Sequence, residues 1–182
     1  MNKLSKWQIL KSQFVINNRW CKVRQDKIQL TDGTIVEDYF VNVRPDIVLI
    51  VPITAQGEIV LVRQYRHGVE QILLELPAGT FEREKENSQL AALRELREET
   101  GYQAQKIVKL AEIYDNPVKD TNKIYIYLAK DLIFSGKQVL DPTEAIEVIL
   151  VPLKNIKRKI FQGEISVSGS ITAIFLALDY LE

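Results

Sequence analysis

Apolar and polar positions follow two different periods along this chain. Between residues 7 and 45, "FVINN" and "WCKVRQDKIQL" alternate partly, Asp32-Gly33 supplies a turn, and "IVEDYFVNV" returns. Period-two patterning around an Asp-Gly pair predicts a small antiparallel β unit that ends near Arg44-Pro45. "IVLIVPIT", "AQGEIVLVRQYR" and "ILLELPAG" follow, short runs rich in Val, Ile and Leu and separated by glycine-containing turns. They are predicted to be buried strands. The period becomes helical over residues 88–100. "AEIYDNP", "KIYIYLAKDL" and "AIEVILVPL" then read as strands, and "LKNIKRKIFQGE" and "ISVSGSITAIFLALDYL" as closing helices. Strands and helices mix without regular βαβ spacing, so the expected class is α+β with a mixed sheet. The expected division is an N-terminal β unit over 1–45 and a main domain over 46–182.

The helical stretch raises the chemical question. On a helix at about 100° per residue, Leu90, Leu93 and Leu96 share a side expected to pack on the sheet. Glu95, Glu98 and Glu99 fall in one stripe roughly opposite. Asn87 or Ser88 can cap the start, and Gly101 ends it. Like charges at these spacings cost about 0.2–0.5 kcal/mol per pair, and Arg94 can reach Glu98 to relieve part of that cost. A solvated acidic face explains the pattern. So does a site for a hard divalent cation: Mg²⁺ takes a few carboxylates, keeps waters, and completes its shell with phosphate oxygens. Spacing alone leaves both readings open.

Composition narrows the partners. Lys and Arg total 24 and so do Asp and Glu, so no global field draws the chain to nucleic acid or a membrane surface. The 182 residues suffice for one domain and a small appendage. One cysteine and one histidine exclude an internal disulfide framework and all but exclude a Cys/His zinc site. Cys21, beside Trp20, is expected to be a small buried apolar residue. "MNKLSKWQILKSQ" is too polar for a signal peptide and "IVLIVPI" too short for a membrane span. A cytoplasmic protein is expected.

The flanks of the acidic helix carry a resemblance. Glu86 is followed by seven residues and then by Arg94-Glu95-Leu96-Arg97-Glu98-Glu99-Thr100-Gly101-Tyr102. This resembles the signature of the Nudix hydrolase family, which runs Gly, five residues, Glu, seven residues, Arg-Glu, an aliphatic, any residue, Glu-Glu, any residue, Gly, and an apolar residue. The departure is at the start, where six residues rather than five separate Gly79 from Glu86. The resemblance implies an α/β/α sandwich around a mixed sheet. It implies Glu95, Glu98 and Glu99 as metal ligands, with the carbonyl of Ala78. Gly79, Glu86, Arg94 and Gly101 would be structural supports, with Arg94 orienting the carboxylates. Two or more Mg²⁺ ions per site are implied, with Mn²⁺ as an alternative.

"VRQYR" and "LELPAG" look like the ADP-ribose pyrophosphatase subgroup, which hydrolyses nucleoside diphosphate sugars. In that subgroup a Pro lies about fifteen residues past the signature, where this chain has Pro117. It is followed by Val118, where the subgroup often reads Pro-Gly. A strand-rich N-terminal extension builds a homodimer there, which residues 1–45 fit. Arg66 is a candidate phosphate ligand, because a guanidinium can grip phosphate bidentately. Arg63, Lys119 and Lys123 are weaker candidates. Trp7 and Trp20 are candidates for stacking a nucleobase, against simple packing. The general base in the subgroup lies outside the signature helix. Glu144 in "LDPTEAIEV" is the candidate, with Asp141 and Glu147 as alternatives, and Glu98 and Glu99 complete the catalytic set. The implied activity is Mg²⁺-dependent hydrolysis of a nucleoside diphosphate sugar, with ADP-ribose giving AMP and ribose 5-phosphate as the leading case. Alternatives are GDP-mannose, a dinucleoside polyphosphate, NADH, or a non-catalytic regulator on the same fold.

Overall fold

The N-terminal period-two stretches form three antiparallel strands, β1 (Gln8–Asn17), β2 (Lys22–Gln29) and β3 (Ile35–Asn42), in that spatial order. The computed structural model describes residues 4–182; residues 1–3 of the expected N-terminal unit lie outside the described residues. Asp32-Gly33 makes the predicted turn. Gly33 adopts φ 90°, and the Leu30 N–H donates to the Thr34 carbonyl at 2.8 Å. Buried Asp26 accepts from Ser12 Oγ at 2.6 Å and from Arg24 Nε at 2.9 Å, so its charge is paired. The chain divides into two compact units. One holds the described residues through Pro45 with Tyr114–Asn122, and the other Asp46–Ile113 with Lys123–Glu182. Within the first, the Asn42 N–H donates to the Lys119 carbonyl at 2.7 Å and Tyr39 Oη to the Val118 carbonyl at 2.8 Å. Cys21 is exposed, not buried as expected, because it sits at the β1–β2 turn, where its N–H donates to Asn18 Oδ1.

The second unit contains β4 (Asp46–Pro52), β5 (Glu58–Arg66), β6 (Gln71–Glu75), β7 (Ala78–Phe81), α1 (Ser88–Thr100), β8 (Tyr102–Ile113), β9 (Ile124–Phe134), β10 (Ile146–Pro152), α2 (Leu153–Phe161) and α3 (Ser168–Leu181). One sheet runs β7-β4-β9-β8, with β4 and β9 parallel and the outer pairs antiparallel. The other runs β10-β5-β6, all antiparallel. Strands β4 and β9 read as unbroken apolar runs because both of their faces are covered. Val48, Ile50, Tyr125, Tyr127 and Ala129 pack with Ala91, Ala92 and Leu96 of α1. Leu49, Val51, Ile124, Ile126 and Leu128 pack on the opposite side with Ile59, Leu61, Ile156, Ala173 and Ile174. Side chains alternate across a strand, so successive residues are assigned to opposite layers. This is the expected sandwich around a mixed sheet.

Three local features differ from those expected. "ILLELPAG" is not one strand; it breaks at Pro77 into β6 and β7. Of "AEIYDNP" only residues 111–113 are strand, the tail of one that starts directly after Gly101. As the edge of its sheet, β8 needs only one apolar face, and its polar positions hid it. Helix α1 has the expected bounds. Asn87 Oδ1 accepts from the Leu90 N–H at 2.9 Å, and Gly101 closes the helix at φ 74°. Its buried face differs from the expected one, comprising Ala91, Ala92, Leu96, Glu99 and Thr100, while Leu90 is exposed. The small alanines let the helix lie close to the sheet, which rotates Leu90 outward and Glu99 inward.

Leu96→Ala is therefore expected to cost about 2–5 kcal/mol, whereas exposed Leu90→Ala should stay within about 0.5 kcal/mol. Urea midpoints at unchanged slope measure both, and the reverse order would contradict this helix face.

Candidate active site

Residues from four separate segments meet in one cavity of about 280 Å³. Arg66 ends β5; Ala78, Gly79 and Thr80 come from β7; Arg94, Glu95, Glu98 and Glu99 from α1; Val139, Asp141 and Glu144 from the loop before β10. Five carboxylates and two guanidinium groups line it. A larger groove of about 1010 Å³, lined by Tyr102, Phe134, Leu140 and Leu150, offers only Lys137 and Glu147 as charged groups. The chemistry points to the smaller space.

Arg94 organises the carboxylates. Its Nη1 donates to Glu95 Oε1 at 2.7 Å and Glu98 Oε2 at 3.0 Å, and its Nη2 to Glu86 Oε2 at 3.0 Å. The extra residue between Gly79 and Glu86 is taken up in a turn, where the Glu86 N–H donates to the Glu82 carbonyl at 3.0 Å, so Glu86 still meets Arg94. Gly79 is needed for close approach, since a Cβ there would lie 1.8 Å from Glu95 Cδ. Glu99 is buried, and its Oε2 accepts from the Ala78 N–H at 3.1 Å.

Burial pushes the Glu99 carboxyl up to about 8; the Ala78 N–H opposes this, and Glu95 and Glu144 add to it. Burial also raises Glu95, against the pull of Arg94. Among the described residues no three acidic, His or Cys side chains converge on a point that would hold a metal ion. Glu95 and Glu98 turn toward Arg94 instead. The donor set nonetheless fits a hard cation. It is all oxygen, it carries excess negative charge, and one of its carboxylates is held at a pKa that a nearby cation would lower.

Arg66 lies in the cavity, but its Nε–Nη2 edge is already used. Nε donates to Glu75 Oε1 at 2.7 Å and Nη2 to Glu75 Oε2 at 3.1 Å. Three of its five N–H donors remain for a ligand. Buried Glu75, which the sequence reading passed over, is thus the group that orients Arg66; its signal was a charge inside "LELPAG". Asp141 and Glu144 line the cavity, while Glu147 pairs with Arg63 at 3.1 Å on the β5–β10 surface. Lys123 pairs with Glu112 at 2.9 Å.

Trp7, Trp20, Pro117 and Lys119 belong to the N-terminal unit. There Trp7 packs edge-on to Tyr39 at 5.8 Å. Trp20 is 74% exposed, with the Arg19 guanidinium 4.4 Å from its ring centre.

Comparisons with known proteins give the chain's family and relatives. A family model described as the NUDIX domain matches residues 43–167, and one described as the nucleoside diphosphate sugar hydrolase N-terminal domain matches residues 7–42. An ADP-ribose pyrophosphatase of Bacillus subtilis is 30% identical over 91% of this chain and 88% of its own length. A methanol dehydrogenase activator of Bacillus methanolicus is 30% identical over 96% of this chain and 94% of its own. A crystal structure of an ADP compounds hydrolase superposes with TM-score 0.88 at 26% identity, covering 100% of this chain and 97% of that one.

The raised Glu99 carboxyl has a consequence for metal-free protein. Its folded pKa of about 8 exceeds the ordinary 4.5, so folded protein binds a proton that unfolded protein releases. This contribution is fully present below about pH 4.5 and is lost as pH rises through about 8. In chelator, the melting temperature of Glu99→Gln should therefore lack a downward slope that the native protein shows across this window. Parallel melting curves would contradict the assignment.

Proposed function

The chain belongs to the NUDIX domain family, and from that premise we propose that it hydrolyses the pyrophosphate bond of a nucleoside diphosphate sugar, with ADP-ribose, converted to AMP and ribose 5-phosphate, as the leading substrate. The observation that carries this reading is the single cavity joining Glu95, Glu98 and Glu99 to Arg66 and Glu144. The ADP-ribose pyrophosphatase and ADP compounds hydrolase relatives, and the N-terminal match, support the substrate class.

Nudix hydrolases use a divalent metal such as Mg²⁺. The groups to hold it here, as two or more ions, are the Glu95, Glu98 and Glu99 carboxylates with the Ala78 carbonyl, and Mn²⁺ has the same preference for oxygen ligands. When bound, the metal supplies neutralisation of phosphate charge and a lowered pKa for bound water. The rest falls to the chain itself. Arg94 keeps Glu95 and Glu98 oriented through its fork. Arg66, fixed by Glu75, turns its remaining donors to the charge that develops on the diphosphate. Glu144 accepts the proton of the attacking water. In the N-terminal unit, the exposed Trp20 ring offers a nucleobase a stacking plane, worth about 1–3 kcal/mol. Trp7 and Pro117 complete the proposed substrate-binding set.

We assign dimerisation to the N-terminal unit. All ten residues of β1 are exposed, among them Ile9, Leu10, Phe14, Val15 and Ile16. A strand that shows apolar side chains on both faces is a surface for a partner. A second reading, a non-catalytic regulator, is favoured by the relative named an activator. The two readings differ in whether any phosphate ester is released.

Purified protein with Mg²⁺ is expected to release AMP and ribose 5-phosphate from ADP-ribose faster than products from GDP-mannose, NADH or diadenosine polyphosphates. Glu99→Gln should abolish turnover, and Glu144→Gln should slow it by about 10²–10⁴-fold. A folded, Mg²⁺-loaded protein inert to the whole panel would favour the regulator. Separately, Phe14→Glu with Ile16→Glu should convert a dimer to a monomer in analytical ultracentrifugation; a native monomer would refute the dimer.

A further inference from the structure

We infer that Gln138 is a positioning residue that fixes the base-carrying loop onto the end of the carboxylate-carrying helix. This rests on the reading of Glu144 as the base. A helix leaves its last carbonyls without partners inside the helix. In α1 the loop over 135–145 supplies them. The Val139 N–H donates to the Glu98 carbonyl at 2.9 Å, and Ser135 donates its N–H and its hydroxyl to the Gly101 carbonyl, both at 2.8 Å. Gln138 Nε2 donates to the Glu99 carbonyl at 2.5 Å and to the Ile146 carbonyl at 3.2 Å. One amide therefore spends both of its N–H groups on two elements, the end of α1 and the start of β10. The approach is close, since a Cβ at Gly101 would lie 2.3 Å from the Gly136 carbonyl oxygen.

The far end of the loop is tied mainly to itself. The Glu144 N–H donates to the Asp141 carbonyl and the Asp141 N–H to Glu144 Oε2, each at 2.9 Å. Asp141 through Glu144 are exposed and form no strand or helix. This turn is a small self-bonded unit, and its place beside the helix carboxylates is set where the loop is anchored. Gln138 is an anchor there, beside Ser135 and Val139, that ties the loop to both α1 and β10, and it sits three residues before Asp141. Its side-chain amide bonds backbone carbonyls, not a ligand side chain. It acts through the distance between Glu144 and the α1 carboxylates, and displacing a catalytic group by about 1 Å can cost about 10²-fold.

The test is a double-mutant cycle with ADP-ribose and Mg²⁺, using Gln138→Leu, Glu144→Gln and both together. Gln138→Glu is run alongside, because it keeps the side chain's shape but sets an oxygen against two carbonyls. Both Gln138 variants are expected to lower kcat by about 10–100-fold with KM within about twofold. The double variant should be no slower than Glu144→Gln, since a displaced base that is already absent costs nothing more. Amide exchange at Val139 should speed up while the amides inside α1 stay protected. Unchanged kcat in both folded Gln138 variants would overturn the inference. So would an equal loss in the presence and absence of Glu144, which is the mark of a general structural defect. If Glu144→Gln alone keeps full kcat, the base assignment fails instead. The cycle is then run with Asp141→Asn, the loop's other carboxylate in the cavity, and additivity there also overturns the positioning role.

Discussion

The site depends on the ion-pair fork of Arg94. A helix that carries Glu95, Glu98 and Glu99 within two turns concentrates like charge, and one guanidinium answers most of it by meeting Glu95, Glu98 and, across the loop, Glu86. The fork is planar and cannot deprotonate, so it fixes directions as well as charge. Glu86 is the far end of the arrangement. It links the turn after β7 to the helix, and with it the close contact between Gly79 and Glu95.

Arg94 does not reach Glu99. That carboxylate faces inward, accepts the Ala78 N–H, and carries the largest perturbation in the site. Burial, not repulsion along the helix, is its main cost. Repulsion between exposed neighbours is worth a few tenths of a kcal/mol, whereas removing a carboxylate from water shifts its ionisation by units. The physical question posed by the acidic helix is therefore one of desolvation, and a cation answers desolvation more completely than an arginine on the same helix can.

The placement of Glu99 follows from the core. Strands β4 and β9 are covered on both faces, and α1 lies on one of them through Ala91, Ala92 and Leu96. Small side chains at the contact bring the helix near the sheet, and the same rotation that buries Leu96 buries Glu99 one turn on. Stability and chemistry share a face. At the other wall of the cavity, the buried Glu75 likewise fixes Arg66, using two of its donors and leaving three for a ligand.

The sequence by itself determined the local features. The antiparallel unit with its Asp32-Gly33 turn, the bounds of α1, its Gly101 cap, the apolar runs of β4 and β9, and the spacing from Glu86 to Gly101 all follow from patterns a few residues long, while the choice of Asn87 over Ser88 as the N-cap was left to the fold. It also nominated Glu144 and Asp141 for the cavity, though only through resemblance. Tertiary structure alone decided the rest: that Leu90 is outside and Glu99 inside, that β8 is a long edge strand, that Arg66 is held by Glu75, that Glu147 pairs with Arg63 on the sheet surface, and that Gln138 caps α1. Each of these depends on which face of an element meets another element distant in the chain. Periodicity reports that a face is apolar, but burial depth and hydrogen-bond partners are set by contacts between segments that no local pattern brings together.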